Sequence, residues 1–106
     1  LKQVKQNIIK CNHMIAKNIF EVGKFYYRTG SYLSAITRFK ALIKDHSKQK
    51  FFDEAAFLLA ESHYHEQSFK EALLLYKKFV KRYPKNQFTI KAKKRLRSLR
   101  SKPYLQ

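Results

Sequence analysis

Residues 23–39 have the sequence GKFYYRTGSYLSAITRF. Residues 60–76, AESHYHEQSFKEALLLY, have the same pattern of residue types with different amino acids. Each copy places small, turn, aromatic and large apolar residues at intervals of 3, 4, 2, 3, 4 and 3, and the copies lie 37 residues apart. The first set is Gly23, Tyr26, Gly30, Tyr32, Ala35, Phe39 and Leu42, and the second is Ala60, His63, Gln67, Phe69, Ala72, Tyr76 and Phe79. Identical spacing at a fixed offset predicts two copies of one helix-turn-helix unit.

Apolar residues recur at helical spacing on both sides of each turn. Gly30 suits the left-handed position after a helix end, Ser31 can cap the next helix, and Asp53 is the predicted N-cap of the third helix. We expect inner faces of Ile15, Ile19, Val22, Tyr26, Leu33, Ile36, Phe39, Leu42 and Ile43 in the first unit, and of Ala56, Leu59, Ala60, Leu73, Tyr76, Phe79 and Val80 in the second. The small residues should let helices approach closely, with aromatic side chains filling the space beside them.

These patterns predict one all-α helical-repeat domain over residues 1–106, with about five helices. Repeat one covers about 16–47, repeat two about 53–84, and a terminal helix about 87–100. Residues 1–12 begin a long first helix. The terminal helix has Ala92, Leu96 and Leu99 on its inner face and is almost wholly basic elsewhere, which is typical of a helix that covers the open end of a repeat stack.

The spacing resembles the tetratricopeptide repeat pattern, including its closing proline at Pro84. Unit one has Ser47 in place of that proline, and unit two has His63 where an aromatic residue is usual. The offset exceeds the usual period of about 34 residues, and we assign the extra residues to the connection 48–52.

The charge is large and uneven. The chain of 106 residues has 24 Lys and Arg against 7 Asp and Glu, a formal net charge of +17. Residues 77–106 hold twelve basic and no acidic side chains: Lys77, Lys78, Lys81, Arg82, Lys85, Lys91, Lys93, Lys94, Arg95, Arg97, Arg100 and Lys102. Nucleic acid, anionic lipid or an acidic protein surface could neutralise this block, and a basic surface without an anionic ligand is the alternative.

No pattern in the sequence indicates catalysis, a cofactor or a metal site. The two glycines cannot build a phosphate-binding loop, and His63 and His65 are too closely spaced to share one face of a helix. The chain has one cysteine, so it cannot form an internal disulfide. Cys11 follows Lys10 rather than a small residue, which makes it a poor lipidation site.

A longer stretch, 15–99, resembles the BamD (YfiO) family of bacterial outer-membrane assembly lipoproteins. The matching positions are Tyr26, Tyr27, Arg28, Gly30, Tyr32, Ala35, Ile36, Arg38 and Phe39, followed by Glu54, Ala55, Tyr64, Ala72, Tyr83 and Pro84. Family members usually carry about five repeats, so this chain resembles their C-terminal part, as a fragment or as a shortened member.

The resemblance implies a non-catalytic scaffold of the outer-membrane β-barrel assembly machinery. Its expected partners are the periplasmic POTRA domains of a BamA-type insertase, other lipoproteins of the machinery and an anionic lipid surface, whereas nucleic acid is disfavoured. The expected location is the periplasmic face of the outer membrane, with a lipid anchor upstream of Leu1. The alternative function is a basic helical-repeat module that binds nucleic acid or an anionic membrane surface.

Several side chains are candidates for contact with a partner: Arg38, Tyr27, Arg28, Lys81, Arg82, Arg95 and Arg97. Arg38 matches an arginine of the family pattern and could bind a partner carboxylate, or it could form a local salt bridge. Tyr27 is off the repeat pattern, so we expect it to be more exposed than the core residues Tyr26 and Tyr32 and to anchor an interface.

Overall fold

The computed structural model describes residues 2–46 and 50–105, and in these residues it is helical throughout, with each helix packed against the next. The elements are α1 (Lys2–Arg28), α2 (Tyr32–Asp45), α3 (Phe52–His65), α4 (Phe69–Arg82), α5 (Thr89–Arg100) and a short 3-10 turn (Pro103–Leu105). The prediction of an all-α helical-repeat array is confirmed. Ser47 and part of the 48–52 connection lie outside the described residues.

The 37-residue offset holds for whole helices and for the turns between them. Helices α2 and α4 each have 14 residues and begin 37 positions apart, as do α3 and α5. At the first turn the Ser31 amide donates to the Tyr26 carbonyl at 2.8 Å, and at the second the Ser68 amide donates to His63 at 2.9 Å. Helix α5 therefore occupies the position of the first helix of a third unit.

Both turns use a left-handed residue, which the sequence predicts for Gly30 but not for Gln67. Gly30 has a φ of 82° and Gln67 a φ of 66°. The long amide-to-carbonyl bond that closes each turn is that of a Schellman motif, which satisfies carbonyls at the end of the first helix. Ser31 stands at the N-cap of α2 as expected, but its side chain makes no capping hydrogen bond.

Small residues bring the helices of each unit together. Ala35, Ala60 and Ala72 have no exposed surface, and Phe39 and Tyr76 fill the space beside them. A Cβ atom added to Gly23 would lie 2.7 Å from Cε1 of Phe39. The close approach that the repeat spacing predicts is therefore present in both units.

Two stacked phenylalanine pairs link successive units. Phe20 stacks on Phe51 with ring centroids 4.7 Å apart, and Phe57 stacks on Phe88 at 4.8 Å. The pairs are again related by 37 residues. Because Phe51 and Phe88 are the N-cap residues of α3 and α5, each stack fixes where the next first helix begins.

Two of the predicted inner-face positions are wrong. The buried face of α1 consists of Ala16, Phe20 and Gly23, whereas Ile15 is 52% exposed. The contact between Gly23 and Phe39 sets the rotation of α1 and turns Ile15 outward. Leu33 is 64% exposed, because it lies on the side of α2 opposite Ala35.

Three local predictions at helix starts and in the core also need correction. Asp53 is not an N-cap, since α3 begins at Phe52; its carboxylate accepts a hydrogen bond from Nδ2 of Asn86 at 2.9 Å. Tyr26 and Tyr32 are half-buried rather than core residues. The last helix begins at Thr89 instead of 87, after a turn in which the Thr89 hydroxyl donates to the Tyr83 carbonyl at 2.6 Å. Its inner residues Ala92, Leu96 and Leu99 are buried as expected.

The packing at Ala35 and Ala72 predicts that leucine at either position lowers the free energy of unfolding by about 1–3 kcal/mol, because the space is already filled. Thermal and urea unfolding would measure the loss. Ser34→Leu and Glu71→Leu, one residue away and exposed, are the matched controls. Equal stability of Ala35→Leu and Ser34→Leu would contradict this packing.

Candidate partner-binding surface

A buried carboxylate on α3 lies at the centre of the charged residues. Glu61 has no exposed surface. Its Oε1 accepts hydrogen bonds from the Tyr76 hydroxyl and from Nε of Arg95 at 3.0 Å, and its Oε2 accepts one from Nη2 of Arg95 at 3.3 Å. Nζ of Lys91 lies 3.6 Å from the same Oε2. The carboxylate therefore joins α3 to both α4 and α5.

The environment of Glu61 keeps it ionised. Burial alone would raise the pKa of its carboxyl group, but hydrogen bonds from Arg95 and Tyr76 and the charges of Arg95 and Lys91 lower the pKa overall. The same contacts act on the partners: the hydrogen bond to Glu61 raises the pKa of Arg95, and burial together with Glu61 raises that of Tyr76. A buried charge is tolerated only when it is paired in this way.

An ion pair at the equivalent position of the preceding unit has the opposite polarity. Nζ of Lys24 on α1 lies 3.4 Å from Oε2 of Glu54 on α3. Moving 37 residues along the chain replaces Lys24 by Glu61 and Glu54 by Lys91. The Lys24–Glu54 and Glu61–Lys91 pairs thus join successive first helices at equivalent positions with their two charges exchanged, and Arg95 adds a second ion pair to Glu61 between α3 and α5.

Aromatic rings cover one side of the Glu61 cluster. Tyr27 lies 5.8 Å from Tyr32 and 6.0 Å from His65, and Tyr32 stacks on His65 at 5.1 Å, all between ring centroids. Tyr27 is half-buried rather than the more exposed residue that we expected, because Tyr32 and His65 cover it. Burial and the nearby charge of Glu61 raise the pKa of Tyr27 to about 12. Nε2 of His65 lies 4.0 Å from Oε2 of Glu61.

The seven candidate residues do not form one site. Tyr27 and Arg95 both border Glu61, and the guanidinium of Arg95 lies 4.1 Å from the centroid of the Tyr64 ring. Arg82 lies at the opposite end of α3, where its guanidinium stacks on Phe52 at 4.5 Å. The remaining four are exposed on other helices: Arg28 on α1, Arg38 on α2, Lys81 on α4 and Arg97 on α5.

Helices α4 and α5 present what we call the basic surface. Ten of the twelve cations in 77–106 are exposed: Lys77, Lys78, Lys81, Arg82, Lys85, Lys91, Lys93, Lys94, Arg97 and Arg100. Arg95 is half-buried against Glu61, and Lys102 lies over the ring of Phe69 at 4.9 Å. Lys91 and Arg95 thus stabilise the fold through Glu61, whereas most of the other cations of the basic block face solvent.

Sequence reasoning did not find an apolar cleft at the edge of this surface. The cleft has a volume of about 190 Å³ and lies between α2, α3 and α4, with Ile43, Phe52, Ala56, Leu59, Leu75 and Phe79 among its lining residues. Lys78, Arg82 and Tyr83 complete its lining. An apolar floor beside two cations suits an apolar side chain with carboxylates next to it.

His63 is buried, as the repeat pattern predicts for this position. Its Nδ1 atom has no hydrogen-bond partner among the described residues. Burial and the charge of Lys40 lower its pKa, which favours the neutral ring. In the described part of the chain, no three or more His, Cys, Asp or Glu side chains are grouped so that they could hold a metal ion.

Comparison with known protein families gives one match. The family model described as YfiO, outer membrane lipoprotein, matches residues 1–72, about two thirds of the chain. The matched region includes the family positions between Tyr26 and Ala72, and it both begins and ends earlier than the 15–99 region of our sequence-based resemblance, so Tyr83 and Pro84 lie outside it. A comparison with curated proteins gives no match. None of the helices in the described residues combines the length and apolar character that crossing a bilayer requires.

The Glu61 cluster predicts that two matched substitutions lower the free energy of unfolding by different amounts. Glu61→Gln leaves Arg95 and Lys91 without a countercharge and should lower the free energy of unfolding by about 2–4 kcal/mol. Glu54→Gln removes the equivalent, half-buried pair with Lys24 and should cost less than about 1 kcal/mol. Urea unfolding of both variants measures the difference, and equal losses would contradict a special role for Glu61.

The lowered pKa of Glu61 also predicts a pH dependence. Ionised Glu61 stabilises the fold fully above the ordinary glutamate pKa of about 4.3, and this contribution is lost as the pH falls through the lower pKa of the folded state. The stability difference between the wild-type chain and Glu61→Gln should therefore narrow on acidification. A difference that stays constant from pH 7 to pH 3 would show that the charge of Glu61 does not matter.

Proposed function

The chain belongs to the YfiO family of outer membrane lipoproteins, and we propose that it is a non-catalytic scaffold of the outer-membrane β-barrel assembly machinery. Family membership associates the chain with the outer membrane. The proposed partner is the periplasmic POTRA region of a BamA-type insertase, with other lipoproteins of the machinery beside it. The proposed location is the periplasmic face of the membrane, with a lipid anchor on a segment upstream of Leu1.

The observation that carries the proposal is the pairing of the basic surface with the apolar cleft. Lys78 and Arg82 stand beside the cleft, and Arg82 is held in place by its stacking on Phe52. Binding sites on proteins combine a desolvated apolar anchor with a polar rim, and most of the affinity comes from the anchor. A partner that inserts an apolar side chain and presents carboxylates around it would satisfy both features.

Exposed cations outside the cleft are further candidates for contact with the partner. Arg38 is exposed and forms no ion pair with the described residues, so it is available to a partner carboxylate. Lys81 and Arg97 lie on the basic surface, and Arg28 follows Tyr27 at the end of α1. Tyr27 and Arg95 would support the surface rather than contact the partner directly, because both belong to the Glu61 cluster.

Calorimetric titration with the POTRA region of the organism's own BamA-type protein tests this proposal. We expect saturable one-to-one binding that persists at physiological salt, because an apolar anchor is not screened as exposed charges are. Arg38→Glu and Lys78→Glu should each weaken binding about tenfold while the melting temperature stays within a few degrees of wild type. Lys17→Glu, an exposed lysine on α1, makes the same charge change away from the cleft and should bind normally.

Two results would contradict the proposal. Full-strength binding by both Arg38→Glu and Lys78→Glu would exclude this surface as the interface. Binding that collapses between low and moderate salt would instead favour the alternative, an electrostatic module for nucleic acid or an anionic membrane. Titration with RNA and with anionic vesicles would then separate those two ligands.

A further inference from the structure

Helix α1 has a second apolar face that points away from the repeat core. Seven residues follow a 4–3 spacing from 4 to 25, and we call them the α1 stripe: Val4, Ile8, Cys11, Ile15, Asn18, Val22 and Phe25. All are exposed except Val22, which is half-buried. Alternating intervals of four and three residues are the pattern of a coiled-coil seam.

The repeat symmetry shows that this face of a first helix receives another helix. The residues of α3 that correspond to Ile15, Asn18 and Val22 are Phe52, Ala55 and Leu59, and all three are buried. Ala55 and Leu59 belong to one core cluster with Ile36, Phe39 and Leu42 of α2. The corresponding residues of α5, Thr89, Ala92 and Leu96, are likewise buried, with Ala92 and Leu96 in one cluster with α4.

The length of the α1 stripe favours a second α1 helix as its packing partner. The stripe covers 22 residues, about 33 Å of helix, whereas a 14-residue helix such as α2 or α4 is about 21 Å long. Among the described helices, only α1, with 27 residues, matches it. We propose that the α1 stripe pairs with the α1 stripe of a second copy of this chain, forming a parallel two-stranded coiled coil.

The side chains favour the parallel arrangement. In a parallel pair Asn18 faces Asn18, and the two amides can hydrogen-bond to each other. In an antiparallel pair the same position would face Ile8, Ile15 or Val22 and bury an amide against apolar atoms. In a parallel pair, Asn7, Met14 and Glu21 of one helix would flank the seam beside Asn12, Ile19 and Tyr26 of the other helix. No like charges therefore meet at these positions.

The available area is sufficient for a weak dimer. Six large apolar side chains on α1 are each between 52% and 66% exposed: Val4, Ile8, Ile9, Met14, Ile15 and Phe25. Ile9 lies outside the α1 stripe and the positions that flank it, so at roughly 100 Å² for each of the other five side chains two copies would bury about 1,000 Å², in the range of weak interfaces. We expect a dissociation constant on the order of 10 μM.

Sedimentation equilibrium of the full chain tests the proposal. The wild-type chain should be in a monomer–dimer equilibrium, and Ile15→Glu should weaken dimerisation at least tenfold. Ile90→Glu is the matched control, because Ile90 is 76% exposed on α5 and lies outside the stripe; it should dimerise normally. Circular dichroism should show both variants folded, since neither side chain is buried.

Oxidation of the single cysteine tests the orientation. A parallel pair places Cys11 beside Cys11, so mild oxidation should give a covalent dimer in the wild-type chain and much less of it in Ile15→Glu. A chain that stays monomeric at several hundred micromolar would overturn the proposal and leave the stripe to another helix, from an upstream segment or from another protein. A dimer that Ile15→Glu does not weaken, or that forms no Cys11 disulfide, would overturn the proposed pairing.

Discussion

The packing of α5 against α3 depends on the buried carboxylate of Glu61. A charge with no exposed surface is costly unless its partners are fixed, and Glu61 has a tyrosine hydroxyl, a guanidinium and an ammonium group within reach. Two of these groups, Lys91 and Arg95, come from α5. The helix with the most basic sequence is therefore held on the stack by one acidic residue of α3, in addition to its apolar stripe of Ala92, Leu96 and Leu99.

Some cations of the basic block therefore stabilise the fold, and the others remain exposed on the surface. Arg95 and Lys91 neutralise Glu61, and most of the other cations are exposed on α4 and α5, with no acidic residue in 77–106 to balance them. The outer face of α5 is polar, and it is positive. Its exposed cations consequently form part of the surface proposed to meet an acidic partner.

Much of the fold could be predicted because each repeat unit shows a regular spacing of small, turn and aromatic residues along the sequence. The left-handed turn at Gly30 and the small residues at Ala35 and Ala72 follow from residue type, whereas the sequence predicts Gln67 only as a turn position, from its place in the repeat. The rotation of α1 could not be predicted, because this helix has apolar residues on two sides. Only the contact of Gly23 with Phe39 shows which side is buried, and the exposed stripe with Ile15 is the other one.

The candidate surface was less predictable than the fold. Glu61 and Arg95 are separated by 34 residues, and no local pattern indicates that they meet. The covered position of Tyr27 depends on Tyr32 and His65, which come from α2 and α3. The cleft beside Arg82 is formed by three helices, so its existence depends on how they pack.

A double-mutant cycle between Glu61 and Arg95 tests the central claim most directly. Urea unfolding of the wild-type chain, Glu61→Gln, Arg95→Met and the double variant gives the coupling free energy of the pair. We expect a coupling of about 2 kcal/mol or more, because each partner leaves the other unpaired when it is removed. Single-variant losses that add to within about 0.5 kcal/mol would contradict the claim that Glu61 holds α5 on the array.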